Sequence, residues 1–244
     1  MAKTAHAAAP VIHAKLNYYE PGDEKPFRLI YTPGPGERET NATYRAVVMP
    51  VADIRAAAVA PDLDREGYAI VEIPSVVRHF DNEIAIRTAY YAQSEAIVQR
   101  ATGAARVVTF DHTIRRAVPD AARLPVTRVH NDYTEISGPQ RVRDLMGDEA
   151  EALLKKRFAI VNLWRPIGHP VEDAPLAIAT ADSVALDDFV AQDLIYRDRV
   201  GETYLVRHAP QHRWAYVSRQ RPEEAMLIKC YDSALDGRAR FTAH

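Results

Sequence analysis

The sequence has a single cysteine, Cys230, in 244 residues. A disulfide framework within the chain is thereby excluded, and the usage suits a reducing compartment, so a cytoplasmic location is expected. No apolar run approaches eighteen residues, and no membrane span is expected. The opening Met1–Pro10 stretch has one lysine and many small residues but no apolar core of a secretion signal; it reads as a flexible tail. Charge of one sign is missing as well. A formal net charge of −2 offers no general attraction to nucleic acid or to anionic membrane, and neither is expected as a partner. Also absent are a Gly-x-Ser-x-Gly elbow, a His-Glu-x-x-His pair and a Gly-x-x-x-x-Gly-Lys phosphate loop. The acidic set Asp182, Asp187, Asp188 and Asp193 lacks the glycine and the spacing of a calcium loop and reads as capping and solvating a helix.

Residues 11–244 show no internal repeat and no low-complexity linker, which predicts one domain. In its first half, strands are expected at Val11–Tyr19, Arg45–Val51, Tyr68–Ile73 and Arg106–Asp111. Pro21–Gly36 reads as a loop, and Ile54–Ala60 as a brief helix. Glu83–Thr102 is the clearest helix, with an apolar stripe from Ile84 to Ala101, a cap at Asp81 or Asn82 and a stop at Gly103. Seven short strands are expected in the second half: Val126–Tyr133, Phe158–Arg165, Ala177–Thr180, Thr203–Arg207, Arg213–Ser218, Met226–Tyr231 and Arg238–His244. Helical pieces are expected near Gln140–Lys156 and Ser183–Leu194. Strands do not alternate regularly with helices, so a doubly wound parallel sheet is disfavoured. The pattern predicts a mainly β protein with flanking helices, built on a double-stranded β-helix, the jelly-roll or cupin-like core.

One short motif carries chemistry. In Arg128-Val129-His130-Asn131-Asp132-Tyr133-Thr134 the histidine and the aspartate lie two residues apart. In an extended segment they project to the same side, with backbones roughly 6 to 7 Å apart. A further histidine supplied by the fold completes a set of two imidazoles and one carboxylate, which holds Fe(II) on one side and leaves the opposite positions free. Alone the motif is weak, because a surface turn gives the same letters. His208 and His212 are four apart, but Pro210 opposes a helix that would pair them.

The string from His130 to Thr134, followed by Ser137-Gly138-Pro139-Gln140-Arg141-Val142-Arg143, resembles the metal-binding stretch of the CmcJ/AsaB-type hydroxylases and desaturases. The resemblance continues in Asn162-Leu163-Trp164-Arg165-Pro166, in His212-Arg213-Trp214-Ala215-Tyr216 and in Met226–Ser233. Leu63–Tyr68 and Phe110–Arg115 extend it into the first half. It implies an oxygenase that uses Fe(II), 2-oxoglutarate and O2 to hydroxylate or desaturate a small secondary metabolite. It also implies His130, Asp132 and His244 as the metal ligands, the last because the distal histidine of such enzymes follows a turn like Asp232-Ser233 by about ten residues. The family pattern then runs into another strand, whose arginine pairs with the far carboxylate of 2-oxoglutarate. The sequence stops at His244, so the expectation is a chain cut just after the ligand. A naturally short chain using an internal cation and an inactive relative are the alternatives.

For contact with the cosubstrate, the strand-borne cations are Arg165, Arg207 and Lys229, with Arg165 and Lys229 the leading candidates, an arginine fork matching a carboxylate better than a point charge. Asn162, Trp164, His212 and Trp214 are candidates to line a substrate cavity, although aromatics on alternating strand positions also build plain core. Asp111, His112 and Arg115 read as a structural hydrogen-bonding cluster. A non-catalytic binding protein of the same fold and a cupin-like metal isomerase or hydrolase remain the rival functions. Substrate identity and oligomeric state are not legible.

Overall fold

A computed structural model describes residues 11–116, 118 and 123–244, so the expected N-terminal tail lies outside the described residues. Eleven strands form three sheets among those residues. In the first, β1 (Val11–Glu20) pairs with β3 (Thr43–Asp53) in antiparallel register from Val11 opposite Ala52 to Glu20 opposite Thr43. β10 (Trp214–Tyr216) and β7 (Ile178–Ala179) complete that sheet. The second places β11 (Glu224–Asp232) between β4 (Tyr68–Glu72) and β6 (Ala159–Trp164). The third has the order β2 (Phe27–Leu29), β8 (Phe189–Ile195), β9 (Val200–Val206), β5 (His130–Asn131).

The helices flank these sheets. The expected long helix forms as α1 (Glu83–Ala85), a π-helical turn over Ile86–Tyr90 and α2 (Tyr91–Thr102). Asn82 caps it by accepting the Ala85 N–H at 3.0 Å, and Gly103 closes it at φ +68°. α3 (Ser137–Met146) and α4 (Ala150–Leu154) occupy the second expected helical region.

Four expectations fail; one is Pro21–Gly36, read as a loop, within which Phe27–Leu29 pairs in parallel with β8. Phe189–Ile195 is a strand, not part of a helix: it pairs with β9 along its whole length and with β2, and three of the four nearby carboxylates are engaged elsewhere. Asp182 pairs with Arg213, Asp188 accepts from the Ala185 N–H and faces His212, and Asp193 pairs with Lys25. Arg106–Asp111 joins no sheet; its Thr109 N–H is satisfied by the Glu95 carboxylate instead. Residues 238–244 run extended without belonging to a regular strand, yet they join two sheets. His244 and His130 exchange both backbone hydrogen bonds, at 2.9 and 3.0 Å, while Ala243 O accepts from Ala179 N at 2.9 Å.

The largest buried apolar cluster lies between the second and third sheets. Ile160, Met226, Ile228 and Cys230 meet Tyr204, Tyr231 and Phe241 there. Val161, Leu163 and Leu227 belong instead to the cluster against Leu63 and Ile97 of α2. The second sheet is therefore buried on both faces, which is why β11 carries the unbroken apolar run Ala225–Ile228 and all nine of its residues are buried.

Candidate metal centre

Backbone pairing brings two of the three candidate ligands together. Residues directly opposite each other in an antiparallel pair send their side chains to the same face. His130 and His244 stand in that relation, and their ring centroids lie 4.5 Å apart. Asp132 follows on the same run as His130. Its carboxylate reaches to 3.5 Å from His130 Nε2 and 3.9 Å from His244 Nε2.

Both imidazoles are oriented by the backbone. His130 Nδ1 donates to its own chain at Arg128 O, and His244 Nδ1 donates to Thr242 O, each at 3.0 Å. Each Nδ1 is thereby the protonated nitrogen, and each Nε2 offers a lone pair towards the carboxylate. Burial, with the neighbouring His244, pushes the His130 pKa down to about 3, so the ring is neutral at physiological pH. Burial opposes charge on Asp132, but the adjacent imidazoles and the Asn162 amide bring its pKa below the ordinary carboxylate value. A neutral imidazole at His130 and an ionised carboxylate at Asp132 are forms that bind a metal.

The donor atoms of the three residues all lie within 4.8 Å of one another. Adjacent ligands of a six-coordinate ion with bonds of about 2.1 Å stand about 3 Å apart, so a small contraction closes this set on one ion. Mixed nitrogen and oxygen donors on one face suit ferrous iron. The residues fit the group.

The surroundings fix the ligand strand. Asn162 on β6 donates to Asp132 Oδ2 at 2.6 Å. Between the two ligands of this strand, Asn131 is fully buried and ties its amide to Tyr133 O and Cys230 O at 2.7 and 2.9 Å. The Cys230 carbonyl sits where β11 bulges between Lys229 and Tyr231. Beyond Asp132, Thr134 Oγ1 accepts from the backbone of Ile136 and Ser137 and starts α3. The centre opens into a cleft of about 2390 Å3, lined among others by Phe110, Tyr133, Trp164, Leu176, Trp214 and Tyr216.

The remaining candidates separate. Asn162, Trp164 and Trp214 line the cleft. Trp214 also donates its indole N–H to Tyr18 at 2.6 Å. His212 is no part of the cleft wall: its side chain is fully buried between the Tyr18 hydroxyl and Asp188, each at 3.1 Å. The tight turn around Pro210, with His212 N–H bonded to Ala209 O, directs it inward.

Lys229 is a structural cation. It pairs with Asp64 at 2.5 Å and with buried Asp232 at 3.0 Å. It stands opposite Val161, and so on the face of β11 away from Ile228 and Asn162. Arg165 shares that face of the sheet, donates to Ile73 O and Pro222 O and packs over Tyr90 at 5.5 Å. Neither cation is brought to the metal ligands. Both also line the cleft, but the cations beside Asp132 are two arginines outside the expected cosubstrate contacts, Arg115 and Arg128. The signal for Arg128 is period two, the same rule that pairs His130 with Asp132.

Residues 16–244 match the family described as Oxidoreductase/YMDC permease-like domain. No helix of the described residues is long and apolar enough to cross a membrane. The Hydroxylase/desaturase efuI of Hormonema carpetanum is 29% identical, covering 99% of this chain and 90% of its own. The Fe(II)/2-oxoglutarate-dependent dioxygenase nvfI of Aspergillus novofumigatus (strain IBT 16806) is 31% identical over 83% of this chain and 76% of its own. The solved structure of the iron and alpha-ketoglutarate-dependent endoperoxidase NvfI superposes with a TM-score of 0.86 at 27% identity. It covers 96% of this chain and 88% of that one. With the jelly-roll fold shared, the chain belongs to the family of Fe(II)- and 2-oxoglutarate-dependent hydroxylases and desaturases.

Proposed function

We propose that His130, Asp132 and His244 hold Fe(II), and that the chain hydroxylates or desaturates a small secondary metabolite bound in the cleft they face. The convergence of three donor-bearing residues from two distant stretches, each held by its own backbone or amide partner, carries this reading. When bound, iron would activate O2, with 2-oxoglutarate as the co-reductant, and so supply the means to take hydrogen from an unactivated C–H bond.

The chain's own residues bind, orient and exclude water. The Asn162 amide holds one oxygen of Asp132 and leaves the other to the metal. Aromatic and aliphatic walls receive an apolar skeleton: Phe110, Tyr133, Trp164, Leu176 and Tyr216 are spread around the opening. Arg141 stacks over Phe110 at 5.2 Å and donates to the Tyr133 hydroxyl at 3.2 Å, which fixes one side of that wall. A cleft of this size holds a cosubstrate and a multi-ring substrate together.

Asp132→Ala tests the assignment. The variant is expected to keep its fold, read by circular dichroism, and to lose stoichiometric Fe(II). Iron binding at the level of the unaltered protein would sink the assignment.

A further inference from the structure

The backbone bonds between His130 and His244 place two imidazoles but not the carboxylate. β5 ends at Asn131, so Asp132 lies just beyond the last paired position of its strand. Asn162 holds one carboxylate oxygen from β6, which belongs to another sheet. The spacing between Asp132 and the run that carries His244 needs a further fastening.

Glu135 and Arg240 supply one. Three residues after Asp132, the Glu135 carboxylate accepts two side-by-side bonds from Arg240, from Nη1 at 2.5 Å and from Nη2 at 2.8 Å. Arg240 stands four residues before His244. Its Nε donates to Asp232 O at 2.8 Å, and its guanidinium lies over Tyr231 and Phe241, at 5.7 and 5.2 Å from the ring centres. Between the two ends, the Thr242 N–H donates to Asn131 Oδ1 at 3.4 Å. Five residues forward from His130 and four back from His244 meet at this pair, as antiparallel neighbours do. Asp132 is thus bracketed, with the backbone bonds on one side and the ion pair on the other.

Ion pairs at a surface typically add little stability, because water screens them and two long side chains must be ordered. What distinguishes Glu135–Arg240 is its geometry. The arginine side chain is only 17% exposed, and all three of its nitrogens are engaged in one plane, so the fork has a single arrangement. Such a pair sets a distance between two runs even where its energy is small.

We infer that Glu135 and Arg240 are positioning residues, whose forked ion pair holds the Asp132 carboxylate at the spacing from His244 that one metal ion can bridge. That spacing is 3.9 Å from Asp132 Oδ2 to His244 Nε2. The inference rests on the function proposed above. Neither side chain belongs to the ligand set, and their effect reaches the ion only through Asp132 and His244.

The test is an anaerobic calorimetric titration of the metal-free protein with Fe(II), well below its unfolding midpoint, with thermal unfolding of the same metal-free samples alongside. Glu135→Ala is expected to weaken Fe(II) binding about tenfold, as for loss of a group that orients a ligand. Its unfolding midpoint is expected within about 4 °C of the parent's, because a part-exposed ion pair adds little stability. Arg240→Lys keeps the charge and loses the fork, and is expected to bind Fe(II) with intermediate affinity. Glu135→Ala combined with Arg240→Gln is expected to bind no more weakly than the weaker single variant, since both changes break one interaction. A Glu135→Ala affinity within about twofold of the parent's overturns the inference, whatever the midpoint does, because a pair that only supports the fold leaves the folded site unchanged. Losses that simply add in the double variant overturn it too. Should Arg240→Gln fail to fold, the Glu135→Ala affinity decides alone. An unaltered protein that binds no Fe(II) overturns the proposed function itself.

Discussion

At the scale of single residues, Asn162 holds the carboxylate of the proposed ligand Asp132. Its amide is bonded to Asp132 at 2.6 Å and sits on the strand opposite Ile228. Loss of such an orienting partner typically weakens metal binding roughly 10- to 100-fold. Asn162→Leu, close in size and still apolar enough for the cleft wall, is expected to lower Fe(II) affinity in that range without unfolding the protein. A competition titration against a chromogenic chelator measures it, and an unchanged affinity would assign Asn162 to the substrate instead. Local spacing makes His130 and Asp132 readable in the sequence. His244 is reached only through resemblance, because nothing local to it distinguishes it from His208 or His212. The cations are misread for a related reason. Alternation correctly puts Arg165 off the face of Asn162, but residue type outweighs that placement, and a partner of Lys229 comes from Asp64, far away in sequence.

At the scale of elements, close approach decides where the ligand strand meets α3. The second residue of α3, Gly138, lies against the Tyr231 ring, and a methyl group built there would come within 2.6 Å of it. The ring is held in place, since Tyr231 packs on Phe158 and Phe241. Gly138→Ala is therefore expected to cost about 1–3 kcal/mol through overpacking. Chemical denaturation measures the loss; a denaturation midpoint that does not move would show that the ring swings aside freely. Long, periodic elements such as β1, β3 and the helix ending at Gly103 are legible because their signals repeat over ten or more residues. β8 is not, since its flanking aspartates imitate helix caps until their tertiary partners are known.

At the scale of the whole molecule, a buried carboxylate ties the first sheet to the second. Glu224, 5% exposed, accepts two bonds from Arg55, at 2.8 and 2.6 Å, and one from the Arg221 backbone at 2.8 Å. Arg55 lies just after β3, and its hydrogen bonds hold the Glu224 pKa down to about 2 from an ordinary 4.5. A depressed carboxylate stabilises the fold fully above its unfolded pKa and loses that contribution as pH falls through the folded one. Glu224→Gln is expected to be about 1–3 kcal/mol less stable than the parent at pH 7. The difference should shrink between pH 4.5 and 2, as thermal unfolding followed across that range would report. A gap constant with pH would show that Glu224 contributes shape and not charge. The overall architecture is legible as a β-roll with outer helices, because seven short strands at close spacing leave few other arrangements. Which edges meet is not, since non-local pairing has no local signature.

The reciprocal backbone bonds between His130 and His244 give the centre an all-or-none character. Two imidazoles placed by one rung cannot drift apart gradually. A slip of a single position would turn one ring to the opposite side of the sheet and dismantle the ligand set outright. Any ion held here thus rewards only the correct alignment of residues 238–244 against β5, and acts as a proofreader of the fold's final closure.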